Sequence, residues 1–260
     1  MRRLLIGLAL ALLAGVMPAT AAAGLELGVQ DDAFLSSAEP NAWPLARELR
    51  PDVIRYNVDW SSVAHVRPAQ ASEPGDPAYQ WAPTDKIVLG AASLGARALL
   101  TIVQAPAWAN GGGAPRVAPL DARDYGAFCR AVATRYSGSY VPPGAEAPLP
   151  AVKSFTVWNE PNRGQFLEPQ GAHGFEAPKV MARLMRACAG AIAAVSPDAK
   201  VALGPLASRG GQGGIAPIAF LARYRAAGGP RPAVVALNPY LGSLLPEYRE
   251  LSFRQITGPG

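Results

Sequence analysis

Two residue types that build many active sites are scarce in this chain of 260 residues: it has two histidines and two cysteines. Cys129 and Cys188 lie far apart, and with so few histidines beside them they do not make a zinc site. No run of five or six Lys and Arg occurs, so nucleic acid finds no electrostatic footprint. The first strand-like run leads into Val29-Gln30-Asp31-Asp32 rather than a glycine-rich phosphate turn, and Gly-Lys-Ser/Thr is absent. Beyond the leader described below, no segment reaches the roughly 18 apolar residues of a spanning helix. What is present is apolar: 50% of the chain is hydrophobic and only 17% charged, enough to offset the entropy of ordering the backbone and to exclude general disorder.

Residues 1–23 have the layout of a secretory signal peptide: Arg2 and Arg3, a short apolar run over 4–16, then Ala21-Ala22-Ala23. The expected mature chain starts at Gly24, is secreted to the extracellular space and has no membrane attachment after cleavage; an uncleaved anchor is the alternative. Without the two leader arginines, 24 basic residues become 22 against 19 acidic ones, a mild +3. An oxidising compartment permits a disulfide, but Cys129 and Cys188, each on the apolar face of a helical pattern, are expected as two buried free thiols.

Strand-like runs at 25–29, 53–57, 98–103, 154–158, 200–203 and 234–238 alternate with helical patterns at 42–49, 84–94, 122–136, 177–195 and 215–227. This alternation implies a single α/β domain over 24–260, with parallel strands and right-handed crossovers. Asp121 is a candidate N-cap for the third helix, and Ser137-Gly138 a stop. Unusual side chains gather after the strands: Gln30-Asp31-Asp32, Asn57 to Trp60, Gln104 to Trp108, Asn159 to Asn162 and Asn238-Pro239-Tyr240. In parallel α/β folds the carboxyl ends of the strands are where ligands bind.

The most informative run is Phe155-Thr156-Val157-Trp158-Asn159-Glu160-Pro161-Asn162. An apolar strand runs straight into a carboxylate beside Trp158, and apolar surroundings favour the protonated carboxyl that a general acid needs. A solvent-facing loop Glu followed by a turn-making Pro is the plainer alternative.

Trp158-Asn159-Glu160-Pro161 after a fourth strand resembles the acid/base signature of the clan A glycoside hydrolases, which are (β/α)8 TIM barrels. Val53-Ile54-Arg55 with Trp60, Ala105-Pro106-Ala107-Trp108 and Ala236-Leu237-Asn238-Pro239-Tyr240 look like the second, third and sixth strand ends of that clan, with Asn238 where many members have His. The resemblance covers about residues 25–240 and leaves family 5 (cellulase-like) and family 39 (xylosidase- or iduronidase-like) open. It implies a glycosidase acting on a glycoside or an oligo- or polysaccharide by a retaining mechanism, without metal or organic cofactor. Glu160 would be the general acid/base, Asn159 a ligand for the sugar 2-hydroxyl, Arg55 the residue orienting the nucleophile, and Tyr240 its assistant. Asn238 would contribute to substrate binding. Trp60 and Trp108 are sugar-platform candidates, with plain packing as the alternative for both.

A retaining glycosidase needs a second carboxylate about 5–5.5 Å from the first, which the clan places on a seventh strand. Six βα units are readable, and only 22 residues (239–260) follow Asn238, reading as a loop and at most one helix over 243–254. Glu247 and Glu250 fall there and Glu168 and Glu176 in the loop after the fourth strand, none at a strand end. The chain is therefore expected to be an incomplete barrel of about six units, C-terminally truncated and lacking its nucleophile, with little hydrolysis of its own. A non-catalytic carbohydrate-binding remnant is the alternative.

Overall fold

The computed structural model describes residues 25–35, 39–210 and 214–239. The leader, Tyr240, Glu247, Glu250 and the 243–254 helix lie outside the described residues. Six strands form one parallel sheet: β1 (Gly28–Val29), β2 (Val53–Asp59), β3 (Arg97–Val103), β4 (Ser154–Val157), β5 (Lys200–Ala207) and β6 (Val234–Asn238). Each pairs with the next, in the order β1-β2-β3-β4-β5-β6. Because parallel crossovers are right-handed, an order that never reverses puts the connecting helices on one side and curls the sheet toward a barrel. A doubly wound sheet would reverse its order partway. The fold is thus an incomplete (β/α)8 barrel.

The helices are α1 (Ala42–Leu49), α2 (Trp60–Val63), α3 (Ala82–Ser93), α4 (Ala107–Asn110), α5 (Ala122–Arg135), α6 (Glu176–Val195) and α7 (Pro217–Ala226). Asp121 caps α5 as expected, its side chain accepting from the Arg123 N–H. The short α2 and α4 were not evident in the sequence. Asp59 starts α2 by accepting from the Ser62 N–H. No described helix is long and apolar enough to cross a membrane.

Strand alternation sorts the side chains into two faces. Ile54, Val58, Leu100, Ile102, Phe155, Val157 and Leu203 are buried on the helix side. On the concave side the register lines up Asn57, Thr101, Thr156 and Ala202 in one row across β2 to β5. That polar row is the floor below the carboxyl ends of the strands. Behind the sheet, Trp60 stacks on Phe128, and Phe128 on Trp81.

The expectation of two free thiols is corrected: Cys129 of α5 and Cys188 of α6 form a disulfide, with Cα atoms 5.3 Å apart. The helices approach this closely at Gly126, where a Cβ would lie 3.2 Å from Ala187. Each cysteine's helix face was readable from its own row of apolar residues. That the two rows face each other was not.

Candidate active site

β4 ends at Val157, and the next three residues leave the strand abruptly. Trp158 and Glu160 both have left-handed backbones, φ 66° and 44°, and Gln104 at the end of β3 has φ 63°. Non-glycine residues adopt this region at a steric cost and persist there only when their surroundings hold them. Here the holding contacts are visible. The Trp158 N–H donates to Ile102 O (2.9 Å) and the Glu160 N–H to Pro205 O (2.7 Å). Asn162 is fully buried; its Oδ1 accepts from the Ala207 N–H (2.8 Å), and its Nδ2 donates to Ala207 O (3.0 Å) and Ile215 O (2.9 Å). Asn162 therefore fastens the turn to the end of β5.

The motif's two polar side chains reach in opposite directions. Asn159 Oδ1 accepts from Arg55 Nη2 on β2 at 3.1 Å, and Arg55 Nε donates to Thr101 Oγ1 at 3.0 Å. With its oxygen engaged, the Asn159 amide has its NH2 as the group to offer a hydroxyl. Glu160 turns toward β6 instead, where Asn238 Nδ2 donates to its Oε1 at 2.8 Å. Glu160 is 5% exposed and Asn238 8%, so this is a buried contact. A carboxyl pinned through one oxygen keeps the other for proton transfer.

Four of the expected site residues, Arg55, Asn159, Glu160 and Asn238, are thus joined in two bonded pairs on adjacent residues of one turn. Asn238 meets the carboxylate itself, and Arg55 meets Asn159. Tyr240 lies outside the described residues. The two tryptophans offered as platforms stand in packing contacts. Asp59 opens a helix that turns Trp60 behind the sheet, where it is fully buried against Phe128, Tyr125 and Trp108. Trp108 stands edge-on to Trp60, donates Nε1 to Ala64 O (2.7 Å) and carries the Arg67 guanidinium 4.9 Å above its ring. Packing accounts for both indoles. Trp158 is also a packing residue, edge-on to Tyr125 with Nε1 donating to Phe166 O (2.8 Å).

Beside Asn159 lies a cleft of about 110 Å³ lined by Asn57, Val103, Gln104, Arg116, Trp158, Asn159, Gln165 and Phe166. One lip is a clasp between two loops: Arg116 Nε meets Glu168 Oε1 at 3.1 Å, and backbone bonds join 116–118 to Glu168. Asn57 and Gln104 sit at strand ends whose polar character was visible in the sequence; Gln165 and Phe166 carried no signal there. A larger cavity, about 670 Å³, lies between α7 and β6 and holds none of the motif residues. The smaller cleft adjoins the turn after β4. Of the other acids near the strand ends, Asp59 is engaged by Ser61 Oγ and the Ser62 N–H, and Asp31 by the Ala33 N–H.

Sequential parallel strands with polar residues at their carboxyl ends define a piece of a (β/α)8 barrel. The chain is similar in fold to three solved structures in particular. A glucosidase from Croceicoccus marinus shares 19% identity, with TM-score 0.55, over 79% of this chain and 42% of that one. A family 39 glycoside hydrolase from Bacteroides cellulosilyticus shares 19% (TM-score 0.53, 85% and 39% covered), and a monomeric β-xylosidase from Caulobacter crescentus 21% (0.50, 79% and 40%). The chain spans about 40% of the length of these structures. No family model and no curated protein matches the sequence.

Proposed function

We propose that the chain belongs to a secreted glycoside hydrolase that cleaves O-glycosidic bonds with retention, Glu160 serving as general acid/base. The observation that carries the reading is the turn after β4: Glu160, buried and held by Asn238, beside Asn159 held by Arg55, at the carboxyl end of a curled parallel sheet. Glu160 protonates the departing glycosidic oxygen, then takes a proton from the water that releases the sugar. Asn159 offers its NH2 to a substrate hydroxyl. The nucleophile is assigned to a strand beyond β6, on the side toward which Glu160 turns. Secretion is supported by the disulfide, which suits an oxidising compartment; N-terminal sequencing of the exported protein should begin at Gly24.

The test is turnover of aryl β-glucosides and β-xylosides by the protein extended through the nucleophile strand, and by its Glu160→Gln variant. Loss of a general acid is expected to cost about a hundred- to ten-thousand-fold in rate. A Glu160→Gln variant with undiminished turnover would overturn the assignment. Sugar binding with no turnover by a chain that carries the nucleophile strand would point instead to a carbohydrate-binding protein.

A further inference from the structure

Arg55 reaches a long way. It starts on β2, crosses β3 and meets Asn159 in the turn after β4, with Nη2 3.1 Å from Oδ1. Holding so long a side chain in one pose costs rotamer entropy, so the pose needs support along its length. Midway, at the centre of β3, Thr101 Oγ1 accepts from Arg55 Nε at 3.0 Å. A guanidinium is a rigid plane, so bonds at Nε and Nη2 together fix its orientation. Thr101 is fully buried, and its same-face neighbours on β3, Leu99 and Val103, are apolar. Valine has the same branched shape, suits a strand as well and brings no hydroxyl to bury. Packing alone gives no reason for threonine here; the bond to Arg55 does.

We propose that Thr101 is a positioning residue for the Asn159 amide, acting through Arg55. With Nε held on Thr101, Nη2 is presented to Asn159. A guanidinium only donates, so the amide faces it with its oxygen and keeps its NH2 for a substrate hydroxyl. Without the Thr101 hydroxyl the guanidinium can swing, and the amide can turn over and offer its oxygen instead. The inference rests on the glycosidase reading, in which Asn159 binds substrate, and adds to it a residue that touches no substrate. Hydrogen bonds to a sugar hydroxyl that strengthen in the transition state act on kcat more than on KM, so the loss should appear in kcat.

Heteronuclear NMR of the full chain tests the geometry without turnover. In Thr101→Val the Arg55 Nε–H should exchange with solvent about tenfold faster, and the Asn159 NH2 signals should shift; Thr101→Ser should restore both. Steady-state kinetics of the protein extended through the nucleophile strand test the consequence. Thr101→Val should lower kcat about tenfold and leave KM within about twofold, with Thr101→Ser recovering kcat. In an Asn159→Ala background, Thr101→Val should cost nothing further. Thr101→Ala, which introduces no new methyl, should behave as Thr101→Val. Parent-like NMR signals in Thr101→Val, or an undiminished kcat, overturn the proposal. So does failure of Thr101→Ser to recover kcat, which would make the role one of volume, and so does a full loss on top of Asn159→Ala. Failure of the glycosidase reading shows separately, in Glu160→Gln hydrolysing as fast as the parent.

Discussion

Replacing Cys129 and Cys188 together by alanine should destabilise the protein by about 4 kcal/mol at 25 °C, the chain-entropy value for releasing a loop of this length. The bridge closes 59 residues of sequence, including β4 and the whole turn after it. Both sulfurs are fully buried at a helix contact that already admits a glycine against Ala187, so alanine leaves little to repack. The loss should come mainly from the unfolded chain, which gains freedom when the loop is opened. For a domain of this size each kcal/mol moves the midpoint by roughly 2–4 °C, so the melting temperature should fall by about 8–16 °C. The assay is calorimetric or circular-dichroism melting of parent and double variant, beside a thiol titration of the denatured, unreduced parent. Two titratable thiols in the parent would refute the pairing outright. An intact bridge whose removal shifts the midpoint by less than about 2 °C, under 1 kcal/mol on the same scale, would refute the loop argument.

Two further perturbations test other parts of the fold. Arg135 is buried on α5, with Nε and Nη2 on the two oxygens of Asp85 at 2.8 and 2.6 Å, and Tyr136 adds its hydroxyl at 2.8 Å. Asp85→Ala, which strands this guanidinium, should cost about 3 kcal/mol in urea unfolding; a cost below 1 would show the pair to be dispensable. Asp76 accepts from the N–H groups of Ala78 and Gln70, bonds that hold its carboxyl below the usual value. A folded-state value lowered in this way contributes stability in full above the ordinary carboxylate range, and the contribution disappears as pH falls through the lowered value. Asp76→Asn should therefore flatten the acid limb of melting temperature against pH, and an unchanged limb would refute the role.

The strands and longer helices were legible because each is written in its own residues: apolar runs for β2 to β6, and spaced apolar rows for α5 and α6. So was the turn after β4, where a strand, a carboxylate and a proline follow in order. What the sequence left hidden were relations across it. Trp60 follows a strand as closely as Asn159 does, yet Asp59 caps a helix and takes the indole behind the sheet. The disulfide depended on how two helices meet. Asn238 lies 78 residues from Glu160, and only the register of β4, β5 and β6 brings its amide to that carboxylate. Phe166 sits in an irregular loop, where neither periodicity nor motif marks a side chain.

Asn162 has a consequence for how the segment after β4 breathes. Residues 158–162 carry no regular secondary structure, the kind of stretch that ordinarily exchanges its amides quickly and admits proteases. Here the segment is stitched to β5 at its middle and its far end, through the Glu160 N–H on Pro205 and the Asn162 amide on Ala207. It cannot peel away alone; opening it means prying it from a central strand. Its deuterium uptake should follow that of β5 rather than that of the loops around it, so that the coil holding Glu160 lasts as long as the sheet does.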